Sequence, residues 1–170
     1  AVPERTYDLG LVAMALEAIR KIDPRTPTVV SFDQPWAEYL AHQDEDLAPQ
    51  HYADTLVRAD LGVSGLGLEI NAGFYPGGSG HRPGFELGRL LDQWSIWGLP
   101  LMVCLTTASA MPPDPLAKSK ASVELATTDL QQAQQQWASS VLPLLLARNS
   151  VQVILWNQLN DHLPHDLPYA

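Results

Sequence analysis

A chain of 170 residues that is 46% hydrophobic and 17% charged has the length of one ordinary domain and the composition of a globular protein rather than a disordered one. No run of about 18 apolar residues occurs, so a membrane span is not expected. A net charge of −9 without a concentrated basic patch argues against nucleic acid as a partner and is compatible with a neutral one, such as a sugar polymer. The one cysteine, Cys104, has no intrachain disulfide partner and sits in an apolar run, where an inert core thiol is expected. Ala1 to Arg5 show neither an initiator methionine nor a signal peptide and read as a cut or processed end.

Leu9, Val12, Ala13, Leu16 and Ile19 recur at helical spacing behind Asp8, a candidate N-cap, and Pro24 predicts an end by Asp23. Thr28 to Phe32 reads as a buried strand with Asp33-Gln34-Pro35-Trp36 at its end. After an acidic loop, Pro49 opens a second helix that runs through Tyr52, Leu56 and Val57 toward Gly62. Gly65 to Asn71 is the next strand, followed by a glycine-rich stretch, Ala72 to Gly84, and a helix carrying Leu87, Leu90, Leu91 and Trp94. Leu101 to Leu105 is a third strand with Thr106-Thr107-Ala108-Ser109 beyond its end. A proline-rich loop leads to a glutamine-rich helix around 131–146, in which Gln134-Gln135-Gln136 reads as a solvated face. Val151 to Trp156 closes the series as a strand.

Helix then strand, four times over, implies a parallel sheet covered by helices, because parallel neighbours need crossover connections. A doubly wound open sheet and a (β/α)₈ barrel compete, and both place ligands beyond the C-terminal ends of the strands, where the long polar segments of this chain fall. Gly65-Leu66-Gly67 opens a strand instead of joining strand to helix, and Gly77-Gly78-Ser79-Gly80 lacks the Gly-Lys-Ser/Thr of a phosphate loop, so nucleotide binding is not supported.

Four segments in order carry a resemblance. Ala15-Leu16-Glu17-Ala18-Ile19-Arg20 with Ile22-Asp23-Pro24, the strand ending at Asp33, Gly65-Leu66-Gly67-Leu68-Glu69-Ile70-Asn71, and Trp156 on the last strand are similar to successive motifs of glycoside hydrolase family 10, the family of many β-1,4-xylanases. The resemblance covers nearly the whole chain and implies the second half of a (β/α)₈ TIM barrel, helix four through strand eight, with no internal boundary and with an upstream half of the same barrel as partner. It further implies hydrolysis of O-glycosidic bonds in a β-linked polysaccharide such as xylan, without metal or cofactor, by an exported protein. The alternative is a degenerate barrel that binds carbohydrate without cutting it. The family's strand-seven nucleophile position falls on Thr107, and its strand-four acid/base would lie upstream of Ala1.

Glu69, where the resemblance implies a glutamine, is the candidate catalytic carboxylate; a hydrogen-bonding stand-in for that glutamine is the plainer reading. Asp33, Asn71, Thr107, Trp156 and Asn160 are the candidate sugar-binding residues: carboxylate, amide and hydroxyl groups for sugar hydroxyls, and an indole for the C–H face of a ring. Trp36, Phe74 and Tyr75 fall in loops after strands, whereas Trp94, Trp97 and Trp137 read as helix packing. The cluster Asn160, Asp161, His162, His165 and Asp166 lacks a recognised metal-ligand spacing, so no metal is expected. Half a barrel would expose two strand edges and one apolar sheet face, so the chain alone is expected to be molten, oligomeric or insoluble.

Overall fold

The computed structural model describes residues 8–41, 47–72, 79, 82–107 and 130–157. Four helices and four strands alternate: α1 (Leu9–Ile22), β1 (Val29–Asp33), α2 (Pro49–Arg58), β2 (Gly65–Ala72), α3 (Gly84–Trp94), β3 (Leu101–Thr107), α4 (Leu130–Leu146) and β4 (Val151–Trp156). The strands pair in sequence order, β1-β2-β3-β4, all parallel.

Local chemistry sets the helix ends. The Asp8 carboxylate accepts from the backbone N–H of Gly10 at 2.8 Å and of Leu11 at 3.1 Å, satisfying two of the donors that open α1. Arg20 and Lys21 in its last turn complement the helix dipole, and the chain turns extended at Asp23, before Pro24. Pro49 occupies the first turn of α2, where its missing N–H costs nothing. That helix stops at Arg58, short of the expected Gly62, and the chain reverses through Asp60 and Gly62, both at positive φ.

Strand alternation sorts the side chains into two faces. Phe32, Leu66, Leu68, Ile70, Leu101, Val103 and Leu105 face the helices and meet Tyr52, Ala53 and Leu56 of α2, Leu87, Leu90, Leu91 and Trp94 of α3, and Val141 and Leu145 of α4. The rings of Phe32 and Trp94 lie 4.8 Å apart at the centre of this core, and Trp97 packs on Trp94 at 5.7 Å. All the helices whose residues join this core therefore lie on one side of the sheet.

The opposite face carries no helix from the described residues. It is lined in register by Ser31, Gly67, Met102 and Val153, then Asp33, Glu69, Cys104 and Leu155, with Asn71 and Thr106 one step further along. The face thus grades from apolar at the N-terminal ends of the strands to polar at their C-terminal ends. Cys104 belongs to it and is half-buried beside Glu69, so the expectation of a core thiol is corrected: odd and even positions of β3 serve opposite faces.

Gly67 is required at its place. A Cβ there would overlap Ser31 Oγ and lie 3.0 Å from Ser31 Cα, so only glycine lets β1 and β2 pair with Ser31 leaning across.

Candidate functional site

The polar end of the bare face is built around two carboxylates. Asp33 and Glu69 are direct partners in the β1–β2 register, on neighbouring strands about 4.8 Å apart. Burial pushes the Glu69 carboxyl up from the ordinary glutamate range, and the negative charge of Asp33 pushes it the same way. Glu69 therefore holds its proton to higher pH than a solvated glutamate. Its neighbour on the other side is Cys104, whose thiol is likewise pushed up, first by burial and then by Glu69, and so stays protonated at neutral pH.

Above this pair lie hydroxyl and amide groups. Asn71 is half-buried and partners Thr106 in the β2–β3 register. Asn157, just past β4, donates from Nδ2 to Thr106 Oγ1 at 3.3 Å while its backbone N–H donates to Leu105 O at 3.0 Å. Asp33, Glu69, Asn71 and Asn157 thus form a crescent of acceptors and donors across the C-terminal ends of the strands, with Thr106, 0% exposed, buried beneath it as a partner of Asn157; this is the end at which barrel enzymes place their sites.

Two of the expected residues are placed elsewhere. Thr107 is 2% exposed on the helix side, and its Oγ1 accepts from Gln134 Nε2 at 2.7 Å. β3 runs through both threonines, because Thr106 and Thr107 continue the pairing with Asn71 and Ala72; the inward position is therefore Thr106, not Thr107. The same bond draws Gln134 out of the solvated face expected for the glutamine run, while Gln135 and Gln136 stay exposed. Trp156 also turns to the helix side, where its ring packs on Trp137 with centroids 6.4 Å apart, so its face serves packing rather than the crescent. Asn160, Phe74, Tyr75 and the cluster Asp161 to Asp166 lie outside the described residues.

An ionic knot braces the loops over β1 and β2. Arg82 pairs with Glu86 at 2.9 Å and with Glu38 at 3.2 Å, and its guanidinium stacks over the Trp36 ring at 5.0 Å. Trp36, a candidate for stacking on sugar, therefore has one face taken by Arg82. Gln34 Oε1, Glu38 Oε2, Ser79 Oγ and Arg82 Nε around these loops are buried without a hydrogen bond. Sequence reasoning missed Thr106, Asn157 and Arg82. Counting by twos along each strand from Glu69 would have found the first; nothing in spacing marks the other two.

No family model matches the chain, and no curated protein matches it. Among solved structures, the chain is similar to the crystal structure of an endo-1,4-beta-xylanase from Caldicellulosiruptor owensensis, with 10% sequence identity and a TM-score of 0.58 over 99% of this chain and 54% of that one. The chain thus spans about half the length of that enzyme. At this identity the likeness is one of fold: an α/β chain with a four-stranded parallel sheet, consistent with part of a (β/α)₈ barrel.

Proposed function

We propose that this chain is the second half of a carbohydrate-active (β/α)₈ barrel that hydrolyses O-glycosidic bonds of a β-linked polysaccharide such as xylan, with Glu69 as its principal carboxylate. The observation that carries this reading is the pair Asp33 and Glu69, set side by side on the helix-free face of a xylanase-like sheet, at the strand ends where barrels do their chemistry. Retaining glycosidases work with two carboxyl groups about 5–5.5 Å apart. Adjacent strands provide a separation of that order. Glu69, with its carboxyl pushed upward, is suited to hold the proton that a departing sugar oxygen needs, and Asp33 is the neighbour that keeps it there. Asn71 and Asn157 supply mixed donors and acceptors for sugar hydroxyls, and the buried Thr106 hydroxyl holds the Asn157 amide.

One observation favours a second reading, glycan binding without cleavage: the inward residues of β3 at this level, Cys104 and Thr106, bring no carboxylate. Assaying the full-length protein on xylan-type oligosaccharides, wild type against Glu69→Gln, decides between them. A loss of at least about 100-fold, near 2.7 kcal/mol of barrier, is expected for a catalytic carboxyl. Variant activity within about threefold of wild type overturns the catalytic role. Oligosaccharide binding by calorimetry with no cleavage in either protein establishes the second reading.

A further inference from the structure

We infer that a hollow on the helix side of the sheet, between α3 and the loop after β1, is a second carbohydrate-binding site that takes one ring of a neutral glycan chain. Its ligand class rests on the carbohydrate reading above, whereas its position owes nothing to Asp33 or Glu69.

One stripe of α3 and one indole build the hollow. Glu86, Arg89, Leu90 and Gln93 stand at i, i+3, i+4 and i+7 on the helix, and with Trp36 they bound a space of about 160 Å³. Leu90, 1% exposed, is its apolar floor and belongs to the core on the helix side. Arg89 and Gln93 are exposed and form no hydrogen bond or ion pair among the described residues, which leaves a guanidinium and an amide available to a ligand. No part of this lining lies on the helix-free face or on a strand edge.

Trp36 is fixed before any ligand arrives. It packs against the core, and Arg82 lies over its ring at 5.0 Å, itself held by Glu86 at 2.9 Å and Glu38 at 3.2 Å. Gln34 and Ala37 on either side hold positive φ, a conformation that non-glycine residues adopt only where their surroundings impose it. The Ala37 N–H closes that turn on Gln34 O at 2.8 Å. Arg82 does not line the hollow, so the indole meets this space with surface that the guanidinium leaves uncovered. A preorganised indole gives apolar contact without a further ordering cost.

Size and charge select the occupant. Pockets that enclose a whole drug-sized ligand run to about 300–1,000 Å³. The smaller volume here suits a single ring whose chain continues into solvent. The lining carries one carboxylate and one guanidinium and so favours neither sign, while the net charge of −9 disfavours an anion. A pyranose matches this chemistry, with its C–H face against the indole and its hydroxyls toward the Arg89 guanidinium, the Gln93 amide and the Glu86 carboxylate.

The test is nuclear magnetic resonance on the full-length protein carrying Glu69→Gln, titrated with xylohexaose. The Trp36 indole N–H, assigned through Trp36→Phe, and the Arg89 Nε–H report the hollow; the side-chain amides of Asn71 and Asn157 report the strand ends. Saturable shifts at Trp36 and Arg89 are expected, and Arg89→Ala with Gln93→Ala should weaken the affinity read at Trp36 at least about fivefold. Both replaced side chains stand in water, so the fold should survive, as an unchanged backbone spectrum would show. Signals of Trp36 and Arg89 that do not move overturn the inference, as does an affinity at Trp36 that the double variant leaves unchanged. Shifts at Asn71 and Asn157 alone overturn it and leave the strand-end site standing. Shifts at the hollow alone uphold it and count against glycan binding at the strand ends, so the two readings fail separately.

Discussion

At the scale of single residues, the raised carboxyl of Glu69 carries a stability signature. Its carboxyl is pushed up in the folded protein by burial and by Asp33, so the folded state binds that proton more tightly than the unfolded chain. Stability from this group is therefore fully present below about pH 4.3 and is lost as pH rises through the raised value. Glu69→Gln removes that dependence. Urea titrations of the full-length protein should show the variant more stable than wild type near neutral pH and the difference shrinking toward about pH 4. A variant less stable at neutral pH would mean that the ionised carboxylate is a structural partner. The Arg82 knot behaves in the opposite way, because truncating a partly buried cation leaves Glu38 uncompensated. Glu38 is nearly enclosed while about a third of Arg82 is in water, so Arg82→Ala should cost about 2–3 kcal/mol, less than the ~3–5 of a fully buried pair. A change under about 0.5 kcal/mol would put the knot among ordinary surface pairs.

The residues misplaced from sequence share one physical cause. A resemblance fixes which strand a residue lies on more readily than which way it points, and one step along a strand reverses the face. Thr106 and Thr107 are the same residue type, so composition offers no choice between them. β4 reads Val-Gln-Val-Ile-Leu-Trp, nearly apolar throughout, and a register irregularity opposite Leu101 and Met102 disturbs the count at its start. That Glu69 and Asp33 share one face at the strand ends was legible because charged residues inside apolar strands have few places to go.

At the scale of elements, the helices and strands were readable because cap, period and punctuation agreed: Asp8 and Pro24 around α1, Pro49 before α2, and an apolar run for each strand. Close contacts between strands were not readable. Gly67→Ala should destabilise the full-length protein by about 1–3 kcal/mol through overpacking against Ser31. Adding Ser31→Gly should restore part of that loss, since it removes the overlapping side chain but not the Cα at 3.0 Å. Strictly additive losses in the double variant would show that the two positions do not meet. Asp8→Ala should cost about 1 kcal/mol through the lost α1 cap, measured as a shift in the urea midpoint.

At the scale of the molecule, the same substitution should act with opposite sign in the two contexts. Met14 and Ile22 stand in water in this half, so Met14→Glu with Ile22→Glu in the 170-residue chain removes exposed apolar surface and adds like charge to an already acidic protein. The isolated variant should be more soluble and less associated than the isolated wild type, read as a larger monomer fraction in gel filtration with light scattering. On the barrel reading proposed above, these side chains would lie under a neighbouring helix of the complete barrel. Burial of each is worth about 1.5–3 kcal/mol there, and the two glutamates would have to be desolvated or force the helices apart. The full-length variant should therefore lose at least about 3 kcal/mol and melt several degrees lower. A full-length variant as stable as wild type would leave the α1 stripe facing solvent and count against the barrel reading. The isolated wild-type chain, whose β1 and β4 outer edges are unpaired among the described residues, should unfold over a broad range of urea that shifts with protein concentration, whereas a complete barrel should show a single steep transition.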